Sequence, residues 1–318
     1  MKNAVIVTGA AGFIGFHLAK SYLDQGFIVI GIDNYLTGST ENIAALQKQY
    51  AEKFKFFRHD VCEPWLFLNE IKNLNPALVF HFASPAAVNH YQQFSLETML
   101  VNSTGLQRAL AAADILQSRL IFASTSEIYG SATVSPQSEN YWGNVNSFGE
   151  RSCYDEAKRF GEALIFTHNK KFKTRHGLVR IFNTYGPRMS PTDGRVVINF
   201  ILQALKNETI TIYGDGNQTR CFCYIDDLIR AILLYANSPI VAPLNIGNNH
   251  EITILELAKI VIQKLSSKST LSFLPIPADD PKQRKPDLTK ALELLNYKPH
   301  VSLEDGVLKM ADWLRSKI

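Results

Sequence analysis

Two side chains that could transfer protons lie four residues apart near the middle of the chain. Tyr154 and Lys158 fall in a stretch predicted to be helical, so both lie on one face of that helix, about one turn apart. A phenol with an ordinary pKa of about 10 is a poor base at neutral pH. A nearby ammonium group favours the phenolate, because opposite charges stabilise the ionised form. The spacing therefore indicates a tyrosine base assisted by a lysine.

A glycine-rich turn near the N-terminus predicts a dinucleotide site. Thr8-Gly9-Ala10-Ala11-Gly12-Phe13-Ile14-Gly15 follows the buried strand predicted over Ala4 to Thr8 and begins a helix, which is the context that this motif requires. The glycines let the backbone turn tightly and approach a pyrophosphate, whose charge the helix N-terminus stabilises.

Asp33 extends this prediction to the kind of nucleotide. It ends the second predicted strand, near the spacing of about 20 residues expected for a carboxylate that binds the adenosine ribose. The carboxylate repels a 2′-phosphate and no arginine follows immediately, so NAD is favoured over NADP. Asp60 and Val61 follow the third strand, where an adenine edge can be read, although Asp60 could instead cap a helix before Pro64. The predicted cofactor-binding residues are Gly9, Gly12, Phe13, Ile14, Gly15, Asp33, Asn34, Asp60, Val61, Ala83, Tyr154 and Lys158.

Thr125 adds a hydroxyl at the end of the strand predicted over Leu120 to Ser124, and such strand ends bind ligands in parallel sheets. With the glycine turn, Thr125, Tyr154 and Lys158, the chain resembles an extended short-chain dehydrogenase/reductase, and the resemblance covers nearly its whole length. Longer segments resemble one branch of that superfamily, the UDP-glucuronate decarboxylases (UDP-xylose synthases). These segments are Ser124–Gly130, Pro136–Gly143, Cys153–Glu156, Arg180–Met189, Asp193–Val197 and Asp280–Asp287.

The resemblance implies an NAD-dependent lyase that converts UDP-glucuronate to UDP-xylose through a 4-keto intermediate and returns the hydride internally. Tyr154, supported by Lys158, takes the proton of the sugar's 4-hydroxyl, and Thr125 hydrogen-bonds the same oxygen. Glu127 handles a proton near carbon 5, and Arg284 holds the carboxylate or polarises the developing enolate. The resemblance also assigns nucleotide-sugar contacts, and the predicted substrate-binding residues are Ser126, Asn183, Arg195, Val196, Tyr213, Arg220 and Arg284.

Other reactions on the same scaffold stay open. Ser126 stands where 4,6-dehydratases carry an aspartate, which argues against dehydration, and Glu127 argues against a simple 4-epimerase. The chain has Ala87-Val88 and Leu100-Val101 where the family usually has a Ser-Pro pair and a lysine near the substrate, so the sugar itself remains open. A non-catalytic NAD-binding regulator is the remaining class, and it does not require Thr125 or the Tyr154–Lys158 pair.

Alternating strand-length apolar runs and longer amphipathic stretches predict where these residues are held. They indicate a Rossmann-type, doubly wound parallel sheet covered by helices over residues 1–183. Residues 184–318 are predicted to form a smaller α/β substrate-binding domain, with residues 221–237 returning to the first domain. Ser302 is predicted to cap the last helix. The polar stretch Pro275 to Pro286 reads as a linker or as a loop that closes over a ligand.

Composition limits the classes of partner. The 318 residues are 46% hydrophobic and 19% charged, and the net charge of +4 is spread along the chain, which disfavours nucleic-acid binding. No apolar run approaches the roughly 18 residues of a membrane span and no signal peptide is evident, so we expect a cytoplasmic protein. Four cysteines and eight histidines show no metal-ligand spacing, so no protein metal site is expected. The family resemblance implies a homodimer formed by the long helices near Leu96 to Leu116 and Tyr154 to Asn169.

Overall fold

The computed structural model describes residues 3–275 and 283–317. Within these ranges the chain forms two compact units. The first comprises the described parts of Met1–Thr125, Asn146–Arg180 and Ile232–Pro243, and the second those of Ser126–Val145, Ile181–Ala231 and Leu244–Ile318. Most of the predicted loop Pro275 to Pro286, including Asp280–Lys282 of the family motif, lies outside the described residues.

A parallel sheet forms the centre of the first unit. Its strands are β1 (Ala4–Thr8), β2 (Ile28–Asp33), β3 (Phe54–Arg58), β4 (Pro76–His81), β5 (Arg119–Thr125) and β6 (Gly177–Ile181). They lie in the order β6-β5-β4-β1-β2-β3, with β1 to β5 paired in parallel. Every residue of β1 is buried, as expected for a strand covered on both faces. The strand order reverses between β1 and β4, and open α/β sheets bind ligands at such a point. The predicted Rossmann-type fold is confirmed.

Helices cover this sheet and contribute apolar side chains to its core. They are α1 (Phe13–Asp24), α2 (Thr40–Gln49), α3 (Leu68–Ile71), α4 (Val88–Gln93), α5 (Ser95–Leu100), α6 (Leu106–Ile115) and α7 (Ser152–Phe172). Leu106 and Leu110 of α6 pack in one apolar cluster with Leu120 and Phe122 of β5. Among the described residues, no helix is both long enough and apolar enough to cross a membrane.

The stretch Leu96 to Leu116, predicted as one helix, is interrupted by a π-helical turn at Val101–Gly105. Here, side chains hydrogen-bond to backbone carbonyls that would accept from backbone N–H groups in a regular helix. His81 Nε2 lies 2.9 Å from the Val101 carbonyl, and Asn102 Nδ2 donates to the Thr98 carbonyl at 2.8 Å. Such competition between side chains and the helical ladder widens a turn. The prediction of a single regular helix was therefore wrong at this turn.

Helix α7 carries the predicted catalytic pair and lies close to β5. Its buried residues Tyr154, Lys158, Gly161 and Ile165 recur every three or four positions and so share one face. A Cβ atom at Gly161 would lie 2.6 Å from Cζ of Phe122, so only glycine permits this approach.

An ion pair fixes the same helix one turn further on. The Glu162 carboxylate receives two hydrogen bonds from Arg180 of β6, at 3.0 and 2.7 Å. It also accepts one from Ser124 Oγ of β5 at 2.5 Å. Bidentate pairing of this kind sets orientation as well as distance, so α7 is held in one position over both strands.

Short strands and helices form the second unit, and one of these helices continues into the first unit from Ile232. Its strands are β7 (Thr184–Tyr185), β8 (Ile210–Tyr213), β9 (Thr219–Cys221), β10 (Cys223–Tyr224), β11 (Leu244–Ile246), β12 (Glu251–Thr253), β13 (Leu271–Leu274) and β14 (Gln283–Arg284). The helices that follow α7 along the chain are α8 (Val196–Leu205), α9 (Ile225–Ala236), α10 (Ile254–Lys264), α11 (Thr289–Leu295) and α12 (Leu303–Arg315). Strand β9 pairs with β12 antiparallel and with β14 parallel. Ser302 caps α12 by accepting from the Asp305 N–H at 3.1 Å, as predicted.

The contact at Gly161 yields a stability prediction. In an exposed helix, Gly→Ala stabilises by about 1 kcal/mol. We expect Gly161→Ala instead to lower the free energy of unfolding by about 1–3 kcal/mol, because the added methyl group overlaps Phe122. Urea unfolding measures the change, with Thr167→Ala at an exposed position of α7 as the control. A Gly161→Ala protein as stable as the wild type would contradict the steric explanation.

Candidate active site

The glycine turn after β1 has the geometry of a dinucleotide cradle. Gly9 has a φ of +74°, and a Cβ atom there would lie 2.9 Å from the Ala83 backbone. A Cβ atom at Gly15 would lie 1.9 Å from the Gly9 carbonyl oxygen. Gly12 is the N-cap of α1 and has no side chain to cap it, so the N–H groups of the first turn, at Phe13 and Ile14, are available to an anion. The turn therefore fits a pyrophosphate.

Asp33 lies beside this turn as predicted. Its carboxylate accepts hydrogen bonds from the N–H groups of Ala11 at 3.0 Å and Tyr35 at 2.7 Å. Burial raises the pKa of Asp33, and these two hydrogen bonds oppose that rise. A carboxylate has about four acceptor sites, so two remain for ribose hydroxyls.

A cavity of about 230 Å³ in the first unit collects most of the predicted cofactor residues. Gly9, Gly12, Asp33, Asn34, Asp60, Val61 and Ala83 line it. Asp60 caps a turn, not a helix, because it accepts from the Cys62 N–H at 2.9 Å, and it also accepts from Asn34 Nδ2 at 3.1 Å. Sequence reasoning missed the other lining residues, Leu36, Thr37, Gly38, His59, Cys62, Glu63, Phe82, Ser84, Pro85, Glu97, Leu100 and Val101.

Gly38 shows which signal was available for the missed residues. A Cβ atom there would lie 2.7 Å from Cβ of Ala11 and 3.0 Å from Oδ1 of Asp33. The backbone at Gly38 thus lies close to the glycine turn, and only glycine fits there. A glycine five residues after the predicted ribose carboxylate was therefore a signal that the sequence offered. The remaining lining residues come from loops whose positions depend on tertiary contacts.

A buried network joins the ends of β1 and β4 behind the cavity. Thr8 Oγ1 accepts from the N–H groups of Phe82 and Ala83, both at 3.1 Å, and lies 3.2 Å from His81 Nδ1. Since His81 Nε2 faces the Val101 carbonyl, it must carry the proton, and Nδ1 then accepts from Thr8. Burial lowers the pKa of His81 to about 4, so the ring stays neutral and keeps this tautomer.

The structure brings Tyr154 and Lys158 together, next to the end of β5. Lys158 Nζ lies 5.7 Å from the ring centroid of Tyr154 and donates to the Ala123 carbonyl at 2.8 Å. Burial lowers the pKa of Lys158 to about 7. Thr125 is the last residue of β5 and is buried, as is Tyr154. The arrangement supplies a phenol, a nearby ammonium and a hydroxyl in the first unit.

In the second unit, Arg284 and Glu127 form a buried ion pair between Nη1 and Oε1. Their side chains are 8% and 13% exposed, so water screens the pair little. Arg284 Nη2 is buried and makes no hydrogen bond with the residues that the structure describes. A guanidinium has five N–H donors, so this one remains available to an anionic ligand.

The segment of Arg284 is held by the conspicuous motif Pro136–Gly143. Gln137 donates its N–H to the Lys285 carbonyl at 2.8 Å and accepts the Lys285 N–H on Oε1 at 2.8 Å. From the other side, Glu251 accepts from Thr219 Oγ1 and Gln283 Nε2, both at 2.6 Å, which ties β12, β9 and β14 together. The motif thus positions Arg284.

The other predicted substrate residues lie at separate places in the second unit. Arg220 is buried in β9, opposite Arg284 in the parallel pairing. Arg195 forms a bidentate pair with Asp193 at the start of α8, where Val196 is the first helical residue. Ser126 is buried at the start of a short 3-10 turn, Asn183 is half-buried, and Tyr213 is exposed at the end of β8.

One cluster in the first unit has metal-like spacing. Ligand atoms of Asp114, His168 and His176 lie within 4.8 Å of one another. However, His176 Nδ1 accepts the Leu120 N–H at 3.0 Å, so Nε2, which faces Asp114, must carry the proton. That nitrogen has no lone pair for a cation, so the cluster is a polar contact between α6, α7 and the residue that precedes β6.

Lys158 yields a prediction with a defined pH dependence. Its pKa is about 7 in the folded protein and about 10.4 when unfolded. The unfolded chain therefore binds more protons between these values, and stability rises with pH across that window. We expect Lys158→Met to abolish activity yet raise the free energy of unfolding at about pH 6 by about 1–4 kcal/mol, a gain that shrinks towards pH 10.

Urea unfolding of wild type and variant across this pH range measures the difference. Lys259→Met, at an exposed position of α10, provides the control and should show no comparable trend. A difference between Lys158→Met and wild type that does not change with pH would show that the ammonium carries no burial cost.

Comparisons with known proteins agree with this geometry. The family model described as GDP-mannose 4,6 dehydratase matches residues 6–310. "UDP-glucuronic acid decarboxylase 1" of Arabidopsis thaliana is 42% identical over 99% of this chain and 70% of its own length. UDP-glucose 4-epimerase of Thermotoga maritima, solved with UDP-glucose, has a TM-score of 0.90 at 27% identity, covering 99% of both chains.

A third relative carries a cofactor and an acidic sugar. UDP-glucuronic acid 4-epimerase of Bacillus cereus, solved with UDP-glucuronic acid and NAD, has a TM-score of 0.87 at 29% identity, covering 99% of this chain and 100% of that one. The chain therefore belongs to the GDP-mannose 4,6 dehydratase family of extended short-chain dehydrogenases/reductases, whose members include NAD-binding nucleotide-sugar enzymes.

Proposed function

We infer that this protein decarboxylates UDP-glucuronate to UDP-xylose. The observation that carries the inference is the buried pair Glu127–Arg284, whose Arg284 Nη2 is left for an anionic ligand. A carboxylate-bearing sugar suits such a guanidinium, because planar N–H donors match carboxylate oxygens. The 42% identity to a UDP-glucuronic acid decarboxylase along almost the whole chain supports the same reaction.

We propose NAD as the cofactor, held in the cavity of the first unit. The N–H groups of Phe13 and Ile14 bind the pyrophosphate, Asp33 binds the adenosine ribose, and Asp60 and Val61 contact the adenine. When bound, NAD supplies the acceptor, and later the donor, of the hydride at carbon 4 of the sugar.

The chain's own residues then handle protons and charge. Tyr154 takes the proton of the sugar's 4-hydroxyl, while Thr125 hydrogen-bonds the same oxygen and Lys158 stabilises the phenolate. The oxidised sugar is a β-keto acid, so its ketone accepts the electron pair left when carbon dioxide departs. Arg284 holds the carboxylate and then the enolate charge, and Glu127 relays a proton from solvent to carbon 5.

Epimerisation at carbon 4 is the second candidate, because the B. cereus UDP-glucuronic acid 4-epimerase shares the fold at 29% identity. An epimerase must return the hydride to the opposite face of an intact uronate. It therefore has no use for a residue that protonates carbon 5, which is the role proposed for Glu127. The two candidates give different nucleotide sugars, and only decarboxylation releases carbon dioxide.

The direct test uses purified full-length protein with UDP-glucuronate and no added NADH. We expect carbon dioxide and a UDP-pentose in equal amounts, because the redox chemistry is internal. UDP-galacturonate without carbon dioxide would establish the epimerase, and the absence of any product from protein confirmed to hold NAD would sink both candidates.

The variant Glu127→Gln separates the steps in the same assay. General acid–base groups contribute roughly 100- to 10,000-fold, so UDP-pentose formation should fall by about that factor. Reduced nicotinamide should still form on mixing, because Tyr154 and Lys158 are intact. Equal loss of both signals would assign Glu127 a structural role.

We further propose that two copies of the chain associate through α5 and α7. Leu96 is 70% and Phe166 69% exposed on these helices, with Met99, Leu100 and Phe160 also exposed. Clustered exposed apolar side chains mark interaction surfaces.

A cytoplasmic location, expected from the sequence, stays a proposal that cell fractionation can test.

Sedimentation of the purified chain tests the association. We expect the wild type to sediment as two chains, and the variant Phe166→Glu as one, because a charge cannot be buried unpaired at the interface. Leu66→Glu, which alters a side chain 86% exposed elsewhere in the first unit, is the matched control and should leave the dimer intact. A monomeric wild type would overturn the proposal.

A further inference from the structure

A second tyrosine lies flat against the proposed base. The rings of Tyr91 and Tyr154 have centroids 5.0 Å apart and planes inclined by 8°, so they are stacked. Both residues are buried, at 1% and 6% exposure. A flat neighbour at this distance limits how far the Tyr154 ring can turn or tilt, and it thereby limits where the phenol oxygen can lie.

Tyr91 is itself held from two directions. It belongs to the short helix α4 and donates its N–H to the Ala87 carbonyl at 2.9 Å. Its own carbonyl accepts from Sγ of Cys153 at 3.5 Å, and Cys153 directly precedes Tyr154 in α7. The backbone of α4 is therefore tied to α7 at the residue next to the base, which fixes one ring relative to the other.

A cationic side chain lies near each ring of the stacked pair. The Arg151 guanidinium lies 5.9 Å from the Tyr91 ring centroid, and its Nε lies 3.9 Å from the Asp155 carboxylate. Lys158 Nζ lies 5.7 Å from the Tyr154 ring centroid. The electron-rich faces of aromatic rings attract such cations. One cation near each ring offsets the repulsion between two parallel phenol rings and favours the stacked arrangement.

We propose that Tyr91 is a positioning residue for the reaction: by stacking, it holds the Tyr154 ring so that the phenol oxygen stays in place beside the sugar hydroxyl. This rests on the proposed role of Tyr154 as the base. Tyr91 contributes its ring, and its hydroxyl takes no part. Proton transfer needs a donor and an acceptor at a fixed short distance, and a displacement of 1 Å can lower a rate roughly 100-fold.

Three variants of the full-length enzyme test this proposal with UDP-glucuronate. Tyr91→Phe keeps the ring, and Tyr91→Leu removes it. Tyr22→Leu is the matched control, because Tyr22 is an equally buried tyrosine of the same unit that packs on Phe27 and Phe80. We expect Tyr91→Leu to lower kcat roughly 10- to 100-fold, with KM changed less than about threefold. The same variant should shift the pH–rate profile to higher pH, and the control Tyr22→Leu should not. Tyr91→Phe should keep kcat within about threefold of wild type.

The results also separate this proposal from the proposed function. A wild type inactive on UDP-glucuronate would refute the function alone, because ionisation of Tyr154 can still be followed by phenolate absorbance, as the difference from Tyr154→Phe in each background. A midpoint displaced to higher pH in Tyr91→Leu, where the ring is free to move from Lys158, supports positioning. An unchanged midpoint, or equal losses in Tyr91→Leu and Tyr22→Leu, or a Tyr91→Phe variant as impaired as Tyr91→Leu, would overturn it.

Discussion

The buried ammonium of Lys158 is the constraint on which the chemistry of the first unit depends. Its Nζ donates to the Ala123 carbonyl and lies 4.8 Å from the ring centroid of Phe122. Water would stabilise the charge far better than these partners do, which is why burial lowers the pKa. The rest of the unit must therefore impose the position: Gly161 admits α7 close to β5, and Glu162 fixes the helix by ion pairing.

Those parts of the first unit that depend on local sequence could be predicted well. Strand β1 has the predicted bounds, and the glycine turn and Asp33 lie where their motif places them. Apolar periodicity and special backbone conformations act over a few residues, so the sequence displays them directly. The π turn at Val101–Gly105 is different, because one of its carbonyls is paired with His81, 20 residues away. No local pattern contains that contact.

The second unit shows the same limit more strongly. The family resemblance marked Pro136–Gly143 and Arg284 as important, but it could not say why both are needed. The physical reason is a contact between residues 148 positions apart, in which Gln137 hydrogen-bonds both the N–H and the carbonyl of Lys285. Arg284 in turn meets Glu127 across 157 positions. Hydrogen bonds of this kind depend on the complete fold. The sequence therefore indicates which residues matter, and only the structure shows which residues they bond to.

The charges around the cavity bear on how a dinucleotide could be held there. Among the described residues that line it are Asp33, Asp60, Glu63 and Glu97, but neither a lysine nor an arginine. A 2′-phosphate would meet several carboxylates without a compensating cation, which strengthens the preference for NAD. For the same reason, the pyrophosphate has to be stabilised by the N–H groups at the start of α1, whose partial positive charge does not depend on any side chain.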